Sequence, residues 1–401
     1  MFRVICFVKI AIFTNNYLPN PYGVSTSIET FRRDFEAMGH KVYIFAPNWP
    51  GYIDANENVF RYPSWDIEFK FRFPLAVPYS RRIGKILEKL DIDIIHAQHP
   101  NLLGTAALEW ARKKKVPLVF TWHTLYDHYT HFFPFLSKKL AVKYIIKKAV
   151  GYANKADVVI APTDSIIPIL RNWGVKKEII PIATGVVEKE FQEANRNIIR
   201  KKYGIKENDV LLLLVSRLTS EKNVLFVVSA VKDILKNTGA DSPAAAGLSA
   251  RSVKLLIVGG GYLSSEIVKI AEKEGIADRV FLAGEVSHDK VKDYYAAGDI
   301  FIYGSKSETQ GMILTEAMYM GLPIVAVEAT GTNSLVLNNG NGFLVSESKK
   351  EFSEAVEKLA ADANLRQKFS EVSKKIAKDN FTSEICAKKM MEVYVRTTDS
   401  H

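Results

Sequence analysis

The sequence predicts an α/β protein made of two Rossmann-like, doubly wound domains that face each other with a cleft between them. Short apolar segments rich in β-branched residues alternate with segments of helical periodicity along the chain. This alternation predicts parallel strands joined by helices. The pattern stops and restarts once, near residues 184–203, which indicates two domains. The length of 401 residues agrees with that number.

Five buried strands are predicted in the first half of the chain. Each is a short run with few polar residues, as expected for a strand that helices cover on both faces. In chain order they are VKIAIF, HKVYIFAP, DIDIIHA, VPLVFTWH and ADVVIAPT.

The second half repeats this scheme with five further strands, which are DVLLLLVS, VKLLIVGG, RVFLAG, DIFIYGS and PIVAV. Ligands of doubly wound sheets bind beyond the carboxyl ends of the strands, where the strand order reverses. Two sheets that face each other therefore place a ligand between them.

The domain boundary follows from the glycine turn in IATGVVEKEF and the polar segment EANRNIIRKKYG after it. We predict an N-terminal domain over residues 1–190, a C-terminal domain over residues 191–375 and a tail over residues 376–401 that forms a helix. Residues 239–252 are small and include proline and glycine, which predicts a loop.

The composition narrows the class of protein. A hydrophobic content of 47% and a charged content of 24% are typical of a globular protein. Two cysteines, Cys6 and Cys386, are too few for a disulfide framework or a zinc cluster. No run of 18 or more apolar residues occurs, so no membrane-spanning helix is predicted.

The net charge of +10 is concentrated in the N-terminal half. Residues 1–190 hold 26 Lys+Arg against 17 Asp+Glu, a balance of +9. A basic domain indicates an anionic partner such as a membrane surface, an acidic substrate or nucleic acid, or simply a solvated basic surface. No nucleic-acid-binding motif accompanies the charge, so we expect no nucleic-acid partner.

Two glutamates frame a glycine in SETQGMILTEAM, residues 307–318. A helix is predicted to begin near Gly311, and its first-turn N–H groups form an anion site together with the helix dipole. The amides concerned belong to Gly311, Met312 and Ile313. Glu308 follows a strand and is placed to meet sugar hydroxyls, while Glu316 on the helix is placed to reach a ribose. The alternative is that Glu308 caps the helix and Glu316 is a surface charge.

Two further stretches follow predicted strands in the same way. In VSRLTSEKN, Arg217 and Lys222 are cations that suit a diphosphate, although a solvated helix start is the alternative. In NNYLPNPYGVSTSIETF, Gly23 permits close approach to the backbone before a helix that we expect to start near Ser25 or Ser27.

The stretch FTWHTLYDHYTHFFP places His123 at the end of a buried strand, where a sheet presents its functional groups. His128 and His131 follow, but their spacing lacks the HExxH context of a zinc-binding helix. We therefore expect no metal site. The three glycines at 259–261 resemble a dinucleotide-binding turn, but Ser264 takes the place of the last glycine of that motif, which argues against an NAD-dependent oxidoreductase.

Taken together, these motifs resemble the retaining glycosyltransferases of family four, which have the GT-B fold. The resemblance rests on SETQGMILTEAM, VSRLTSEK, the GVSTS loop and FTWHTLYDHYTHFFP, in that family's arrangement. It extends from Lys9 to about Tyr394, and it implies that the tail helix crosses back to the N-terminal domain.

The resemblance implies a role for each motif residue. Glu308 contacts the donor sugar and Glu316 holds the ribose. Arg217 and Lys222 hold the donor diphosphate, which the amides at Gly311–Ile313 and Gly23 also approach. His123 lies near the sugar at the reaction centre, so the residues predicted to be catalytic are His123, Glu308, Arg217 and Lys222.

Within the family, SETQG and YDHYTHFFP look most like the branch that glucosylates diacylglycerol. This implies transfer of a hexose, expected to be glucose from UDP-glucose, to a lipid such as 1,2-diacylglycerol, without a metal or other cofactor. The alternative is a mannosyl- or glucosyltransferase that acts on phosphatidylinositol or a soluble acceptor. Two departures, Gln98 for a histidine and Asn15-Asn16 for a Thr-Asp or Asp-Thr pair, lie on the acceptor side.

A lipid acceptor requires contact with a bilayer, so we expect a cytoplasmic enzyme that is peripheral on the inner face of the cell membrane. In RRIGKILEKL, residues 81–90, apolar and basic residues occupy opposite sides of a helix. The predicted membrane or acceptor side comprises Arg81, Arg82, Lys85, Lys89 and Tyr126. The alternative is an ordinary helix whose apolar side packs on the core.

Overall fold

The computed structural model describes residues 7–20, 23–68, 72–125, 138–238, 252–306 and 308–401. The predicted loop at 239–252, apart from its last residue, and Tyr126, His128 and His131 lie outside these ranges. The chain forms two compact units, Met1–Gly185 with Ser383–His401 as unit 1, and Val186–Thr382 as unit 2.

The chain passes between the two units twice, and the two connecting segments lie side by side. The Val186 N–H donates to the Phe381 carbonyl at 2.7 Å, and Val186 forms an isolated parallel bridge with Thr382. The chain thus leaves and re-enters unit 1 at one place, at residues 185 and 383, whereas the sequence analysis divided it at 190 and 375.

Unit 1 contains nine strands and five helices before the first crossing, as far as the structure describes it. The strands are β1 (Lys9–Phe13), β2 (Lys41–Pro47), β3 (Val59–Tyr62), β4 (Ser64–Glu68), β5 (Arg72–Ala76), β6 (Ile94–Ala97), β7 (Leu118–Thr121), β8 (Val158–Ala161) and β9 (Glu178–Pro181). The helices are α1 (Gly23–Ala37), α2 (Arg81–Lys89), α3 (Leu103–Lys114), α4 (Lys138–Ala153) and α5 (Ile167–Trp173).

The main sheet of unit 1 is parallel, in the order β3-β2-β1-β6-β7-β8-β9, and β4 and β5 form a separate antiparallel hairpin. Side chains alternate between the two faces of the sheet, as the pleat requires. Ala11 and Phe13 contribute to a core shared with α2, α3, α4 and α5, whereas Ile10 and Ile12 face the opposite core. The strand order reverses between β1 and β6.

Unit 2 repeats the architecture. Its strands are β10 (Val210–Val215), β11 (Val253–Val258), β12 (Val280–Gly284), β13 (Ile300–Tyr303), β14 (Ile324–Val327) and β15 (Gly342–Val345). Its helices are α6 (Glu188–Phe191), α7 (Arg196–Lys202), α8 (Val224–Asn237), α9 (Ser264–Lys273), α10 (His288–Ala297), α11 (Met312–Tyr319), α12 (Thr330–Asn333), α13 (Lys349–Ala361) and α14 (Ala363–Asn380).

The sheet of unit 2 is also parallel, in the order β12-β11-β10-β13-β14-β15. Alternate residues of β10 face two cores: Leu212 and Leu214 pack with α8 and α13, and Leu211 and Leu213 with α10 and α11. The order reverses between β10 and β13. Ligand-binding groups are therefore expected after these two strands.

The last helix, α15 (Ser383–Asp399), belongs to unit 1. Its Ala387, Met390 and Tyr394 pack with Ile28 and Phe35 of α1 on the sheet face opposite α2–α5. Tyr394 also hydrogen-bonds to His96 of β6, with 2.5 Å between its hydroxyl oxygen and Nδ1.

The predicted fold class is confirmed, because both units are parallel α/β sheets covered by helices on both faces. All ten predicted strands are present. The sequence analysis missed β3, β9, β15 and the β4–β5 hairpin, because these strands are short, carry charged residues or begin at a glycine turn. None of the helices in the described ranges has the length and apolarity to cross a membrane.

Candidate active site

The predicted donor residues of unit 2 follow the two strands at which the sheet order reverses. Arg217 and Lys222 come after β10, and Glu308 comes after β13. The carboxyl ends of β10 and β13 are neighbours because these strands pair directly. The structure brings Lys222 and Glu308 into contact.

Lys222, Glu308 and Tyr303 form a compact polar cluster. The Lys222 ammonium and the Tyr303 hydroxyl both donate to Glu308 Oε1, and Lys222 Nζ lies 3.5 Å from the Tyr303 oxygen. The side chains of Lys222 and Glu308 are only 17% and 12% exposed. A charge pair removed from water in this way is held in fixed geometry by its neighbours.

The ionisation of Glu308 follows from these contacts. Burial raises the pKa of a carboxyl, but the charge of Lys222 and the hydrogen bonds from Lys222 and Tyr303 outweigh burial, so the pKa of Glu308 lies below its usual value. Glu308 is thus a carboxylate at neutral pH. Burial and the adjacent carboxylate raise the pKa of Tyr303 well above 10, so Tyr303 keeps its proton.

Arg217 is more exposed than Lys222. Its side chain is 52% exposed, and its guanidinium lies 3.3 Å from the carboxylate of Glu221, four residues along the chain. A pair this exposed contributes little to stability. Loss of the contact with Glu221 would therefore cost the folded protein little.

The three glycines at 259–261 support the loop that carries Arg217. A Cβ on Gly259 would lie 1.9 Å from the Ser216 carbonyl oxygen, and a Cβ on Gly261 would lie 2.3 Å from that of Leu218. The Leu218 N–H donates to the Gly260 carbonyl at 2.8 Å. These glycines serve close packing of two backbone segments, which accounts for them without a dinucleotide.

Helix α11 begins as predicted, immediately after Gly311. Gly311 has φ +73°, a left-handed conformation that glycine adopts readily. The Leu314 N–H donates to the Gly311 carbonyl at 2.8 Å, so the amides of Gly311, Met312 and Ile313 precede the first intrahelical hydrogen bond. Their position matches an anion site at a helix start.

Glu316 lies on the second turn of α11 and accepts a hydrogen bond from the Tyr295 hydroxyl at 2.7 Å. Burial raises the pKa of Glu316, and the nearby Glu190 acts in the same direction, whereas Tyr295 and His288 lower it. His288 Nε2 lies 2.8 Å from the Glu190 carboxylate. Glu316 is therefore not a free surface charge, and its ionisation is less favourable than that of Glu308.

In unit 1, His123 follows β7, and Gln98 follows β6. His123 Nε2 lies 2.6 Å from the side-chain oxygen Oε1 of Gln98. Because an amide oxygen only accepts, this contact fixes the proton of His123 on Nε2. Burial, with smaller effects of His99 and His96, lowers the pKa of His123 to about 3, so the ring is neutral at pH 7.

Asn15, the first residue of the Asn15-Asn16 pair that departs from the family pattern, has a scaffolding role. Its Oδ1 accepts from the Leu103 N–H at 3.0 Å at the start of α3, and its Nδ2 donates to Asn101 Oδ1 at 2.9 Å. Its backbone N–H donates to His99 Nδ1 at 3.1 Å. These bonds tie the β1 loop to the loop after β6.

Gly23 is the first residue of α1, so the helix begins two residues before the earlier of the two predicted starts. The exposed Gly23 backbone lies beyond β1, beside the reversal of strand order. This places its amide at the amino end of a 15-residue helix, and the approach of a phosphate to Gly23 stays a prediction.

The helix predicted over residues 81–90 is α2, and its apolar side packs on the core. Ile83 is 1% exposed and Leu87 is fully buried. Its basic residues are all exposed, namely Arg81, Arg82, Lys85 and Lys89. The structure thus favours the alternative of a core-packed helix, in which only the charges can meet a membrane. Tyr126, the fifth predicted residue, lies outside the described residues.

Three contributors were missed by the sequence analysis: Tyr303, Tyr295 and the contact of Gln98 with His123. Both tyrosines are fully or almost fully buried, so their apolar sequence context indicated core residues. The sequence offers one signal for Tyr303, which is its position at the end of a strand and just before a polar loop. Among the described residues, no group of three or more His, Cys, Asp or Glu is placed to hold a metal ion.

Two family models match the chain, one for each half. Residues 21–189 match Glycosyltransferase Family 4, and residues 195–376 match Glycosyl transferases group 1. The chain is also 30% identical over 398 residues to the alpha-monoglucosyldiacylglycerol synthase of Streptococcus pneumoniae, covering 94% of this chain and 84% of the relative. The chain belongs to glycosyltransferase family four. The enzyme of the same name from Acholeplasma laidlawii is 27% identical over 86% of both chains.

Solved structures of glycosyltransferases share the fold. Sucrose-phosphate synthase from Thermosynechococcus elongatus superposes with a TM-score of 0.76 at 19% identity, over 98% of this chain and all of that one. HepE of Anabaena in complex with UDP-glucose superposes with a TM-score of 0.72 at 18% identity, over 97% and 99% of the two chains. This glycosyltransferase therefore has the GT-B fold that its sequence predicted.

Proposed function

We propose that this glycosyltransferase moves a glucosyl unit from UDP-glucose to 1,2-diacylglycerol with retention of anomeric configuration. The observation that carries the proposal is the 30% identity to a monoglucosyldiacylglycerol synthase along 94% of the chain. The second synthase with that name supports the same acceptor. HepE, which has been solved with UDP-glucose, supports the donor through its shared fold.

Unit 2 binds the donor in this proposal. The diphosphate takes positive charge from Arg217 and Lys222 and N–H groups from the first turn of α11. Glu308 accepts hydrogen bonds from sugar hydroxyls, and Glu316 accepts them from the ribose. The ion pair of Lys222 with Glu308 supports this arrangement, because it sets one positive and one negative group side by side where phosphate and sugar adjoin.

Lys222 is assigned to the junction between the diphosphate and the sugar of the donor. Its ammonium has three N–H donors, and Glu308 and Tyr303 engage it from one side. No third partner of this ammonium is found in the part of the chain that the structure describes, so its third N–H is assigned to the phosphate oxygen that leaves. The cost of desolvating Lys222 is already met by Glu308 in the folded protein, so the charge is preorganised for the transition state.

The transfer is proposed to proceed on one face of the sugar. The bond between the anomeric carbon and the diphosphate oxygen breaks, and the acceptor hydroxyl oxygen bonds to that carbon from the same side. The hydroxyl proton passes to the departing phosphate oxygen. Arg217, Lys222 and the α11 amides stabilise the developing negative charge without a metal, and His123 contributes a hydrogen bond to the sugar. Turnover that survives EDTA is the expected result.

The lipid acceptor implies action at the inner face of the cytoplasmic membrane. The four basic side chains of α2 are exposed, which supports an electrostatic contact with anionic lipid. The core packing of Ile83 and Leu87 means that α2 contributes charge rather than apolar insertion.

A donor screen tests the proposal directly. Turnover of UDP-glucose, UDP-galactose, UDP-N-acetylglucosamine and GDP-mannose is measured with and without vesicles that contain diacylglycerol. UDP-glucose turnover stimulated by diacylglycerol, with a glucosyldiacylglycerol product of α configuration, is expected. UDP-glucose turnover that diacylglycerol leaves unchanged would reject the lipid acceptor.

The mannose alternative rests on separate relatives. A GDP-mannose-dependent alpha-mannosyltransferase of Mycobacterium tuberculosis is 26% identical over 85% of this chain. Exclusive turnover of GDP-mannose in the same screen would replace the proposed donor, and phosphatidylinositol vesicles would then be the acceptor to test.

A further inference from the structure

His99 lies in the loop after β6, at the edge of the unit 1 sheet where the strand order reverses. Strand β6 pairs directly with β1, so the loops that follow these two strands are neighbours. Doubly wound sheets bind ligands at this position. Apart from Gly23 and His123, the residues assigned to the donor belong to unit 2, which leaves this edge of unit 1 for the acceptor.

One ring nitrogen of His99 is engaged by the backbone. The Asn15 N–H donates to Nδ1 at 3.1 Å. Burial lowers the pKa of His99 to about 4, so the ring is neutral at pH 7 and carries a single proton. Because Nδ1 accepts a hydrogen bond, this proton is on Nε2.

The Nε2–H group of His99 is open to a ligand. Among the residues that the structure describes, the Asn15 N–H is the one hydrogen-bond partner of the His99 ring. His99 is partly exposed, and the side-chain polar atoms that are both buried and unpaired in the described ranges belong to other residues. Solvent therefore reaches Nε2, and an oxygen atom of a ligand can replace that solvent.

The backbone that carries His99 is fixed by close packing. A Cβ on Gly104 would lie 1.7 Å from the His99 carbonyl oxygen, so the start of α3 lies directly against this loop. The Tyr152 hydroxyl donates to the Gly104 carbonyl at 2.7 Å, and the Leu103 N–H donates to Asn15 Oδ1 at 3.0 Å. The donor at Nε2 is consequently held in one place, as the positioning of a substrate requires.

His99 and His123 form a pair of uncharged rings. Their ring centres are 6.4 Å apart, and the ring planes are inclined by 37°. His123 is also neutral at pH 7. An uncharged N–H group suits an uncharged oxygen such as a hydroxyl or an ester carbonyl, whereas phosphate recognition typically employs charged donors.

We propose that His99 is an acceptor-binding residue, whose Nε2–H donates a hydrogen bond to an uncharged oxygen of the acceptor beside His123. In diacylglycerol this oxygen belongs to the glycerol unit, as the attacking hydroxyl or as an ester carbonyl next to it. His99 holds the acceptor and does not change its own charge during transfer. The inference rests on the proposed function for the identity of the acceptor.

Two variants separate the two nitrogens of the His99 ring. The side-chain oxygen of asparagine is bonded to Cγ, as Nδ1 is in histidine, so His99→Asn keeps an acceptor for the Asn15 N–H and loses the donor at Nε2. The side chain of glutamine is one bond longer, so His99→Gln places an amide N–H near the position of Nε2. The matched control is His401→Asn, at an exposed histidine.

The first readout is transfer of glucose from UDP-glucose to 1,2-dioctanoylglycerol in detergent micelles. His99→Asn should raise the KM for this acceptor about tenfold, the equivalent of one lost hydrogen bond. The KM for UDP-glucose and the melting temperature should remain those of the wild type. His99→Gln should recover part of the loss, and His401→Asn should behave as the wild type does.

The second readout requires no turnover. In protein labelled with ¹⁵N-histidine, the ring resonances of His99 are assigned by their loss in His99→Asn. The Nε2–H resonance should shift when dioctanoylglycerol is added in the presence of UDP. Inorganic phosphate, which tests the alternative of an anion site, should leave it unchanged.

Three results would overturn the inference. One is an unchanged acceptor KM in His99→Asn, together with no shift of the His99 resonance. Another is an equal rise of the donor KM and the acceptor KM with a lower melting temperature, which would indicate a structural role. The last is a shift caused by inorganic phosphate and not by dioctanoylglycerol. Failure of the proposed function is recognised separately, as the absence of transfer to dioctanoylglycerol by the wild type, and the resonance shift then still decides the role of His99.

Discussion

Gln98 accepts a hydrogen bond from His123 Nε2 at 2.6 Å, and thereby sets which nitrogen of the ring carries the proton. Gln98 is 5% exposed, so water does not readily replace it. Its position after β6, beside the reversal of strand order, makes it a positioning residue for His123 rather than a group that meets the sugar.

Replacement of Gln98 should change the pH dependence of transfer. In Gln98→Glu a carboxylate faces His123 and raises the pKa of the imidazole, so protonated His123 accumulates as the pH falls. The rate should then decline on the acid side, whereas the wild type, with its His123 pKa near 3, shows no such limb from this residue.

Gln98→Ala provides the comparison. It should lower kcat about tenfold, the equivalent of one lost hydrogen bond, with little change in the KM for donor. A pH–rate profile of Gln98→Glu identical to that of the wild type would show that Gln98 supports the fold without tuning His123.

Glu308 is expected to be indispensable for transfer. Glu308→Gln removes the carboxylate that neutralises Lys222 and accepts the sugar hydroxyls, so kcat should fall by at least about 100-fold. The matched variant Tyr303→Phe keeps the carboxylate and Lys222, and should lose about tenfold. Initial rates of UDP-glucose consumption measure both, and circular dichroism checks the fold. A fully active Glu308→Gln variant would contradict the donor-site assignment.

Glu316 is expected to lower the stability of unit 2 and to strengthen donor binding. Its pKa is raised by burial, so the folded protein binds this proton more readily than the unfolded chain does, and the ionised carboxyl destabilises unit 2 at pH values above its unfolded pKa of 4.5. Glu316→Gln should therefore raise the melting temperature at pH 7, while Tyr295 keeps an acceptor.

The same variant should bind donor less well, with a KM raised about tenfold. A carboxylate has two acceptor oxygens and an amide has one, so one hydroxyl of the ribose loses its acceptor. In the wild type the KM should also rise as the pH falls towards the raised pKa of Glu316, and Glu316→Gln should remove that rise. Calorimetry and donor titrations between pH 5 and pH 8 check both. A melting temperature lower than that of the wild type would contradict the argument.

The sequence could place Arg217, Lys222 and Glu308 because polar residues after buried strands must lie at the carboxyl edge of a parallel sheet. It could not reveal the hydroxyl contact of Tyr303, since a tyrosine within IFIY has the pattern of a core residue. Periodicity likewise could not decide between core and bilayer for α2, because both environments select the same apolar side.

The tail helix is fixed to unit 1 through a buried histidine. His96 Nδ1 lies 2.5 Å from the Tyr394 oxygen, and Nε2 lies 2.7 Å from that of Thr121. Burial lowers the pKa of His96 to about 3, so the ring stays neutral and each hydroxyl satisfies one nitrogen. Tyr394→Phe keeps the ring packing but leaves Nδ1 without its partner, which should cost about 1–3 kcal/mol of unfolding free energy.

All five tryptophans lie between residues 49 and 173, so tryptophan fluorescence during urea unfolding reports unit 1 alone. Tyr79→Phe, at a site that is 77% exposed, is the control and should not change stability.

Below pH 6.5 the His96 side chain takes up a proton in the unfolded chain but not in the folded chain. Unit 1 should therefore lose stability as the pH falls from 6.5. His96→Gln should make that decline shallower, by up to about 1.4 kcal/mol per pH unit. Unchanged stability in Tyr394→Phe, together with an unchanged slope in His96→Gln, would show that apolar packing alone holds α15 in place.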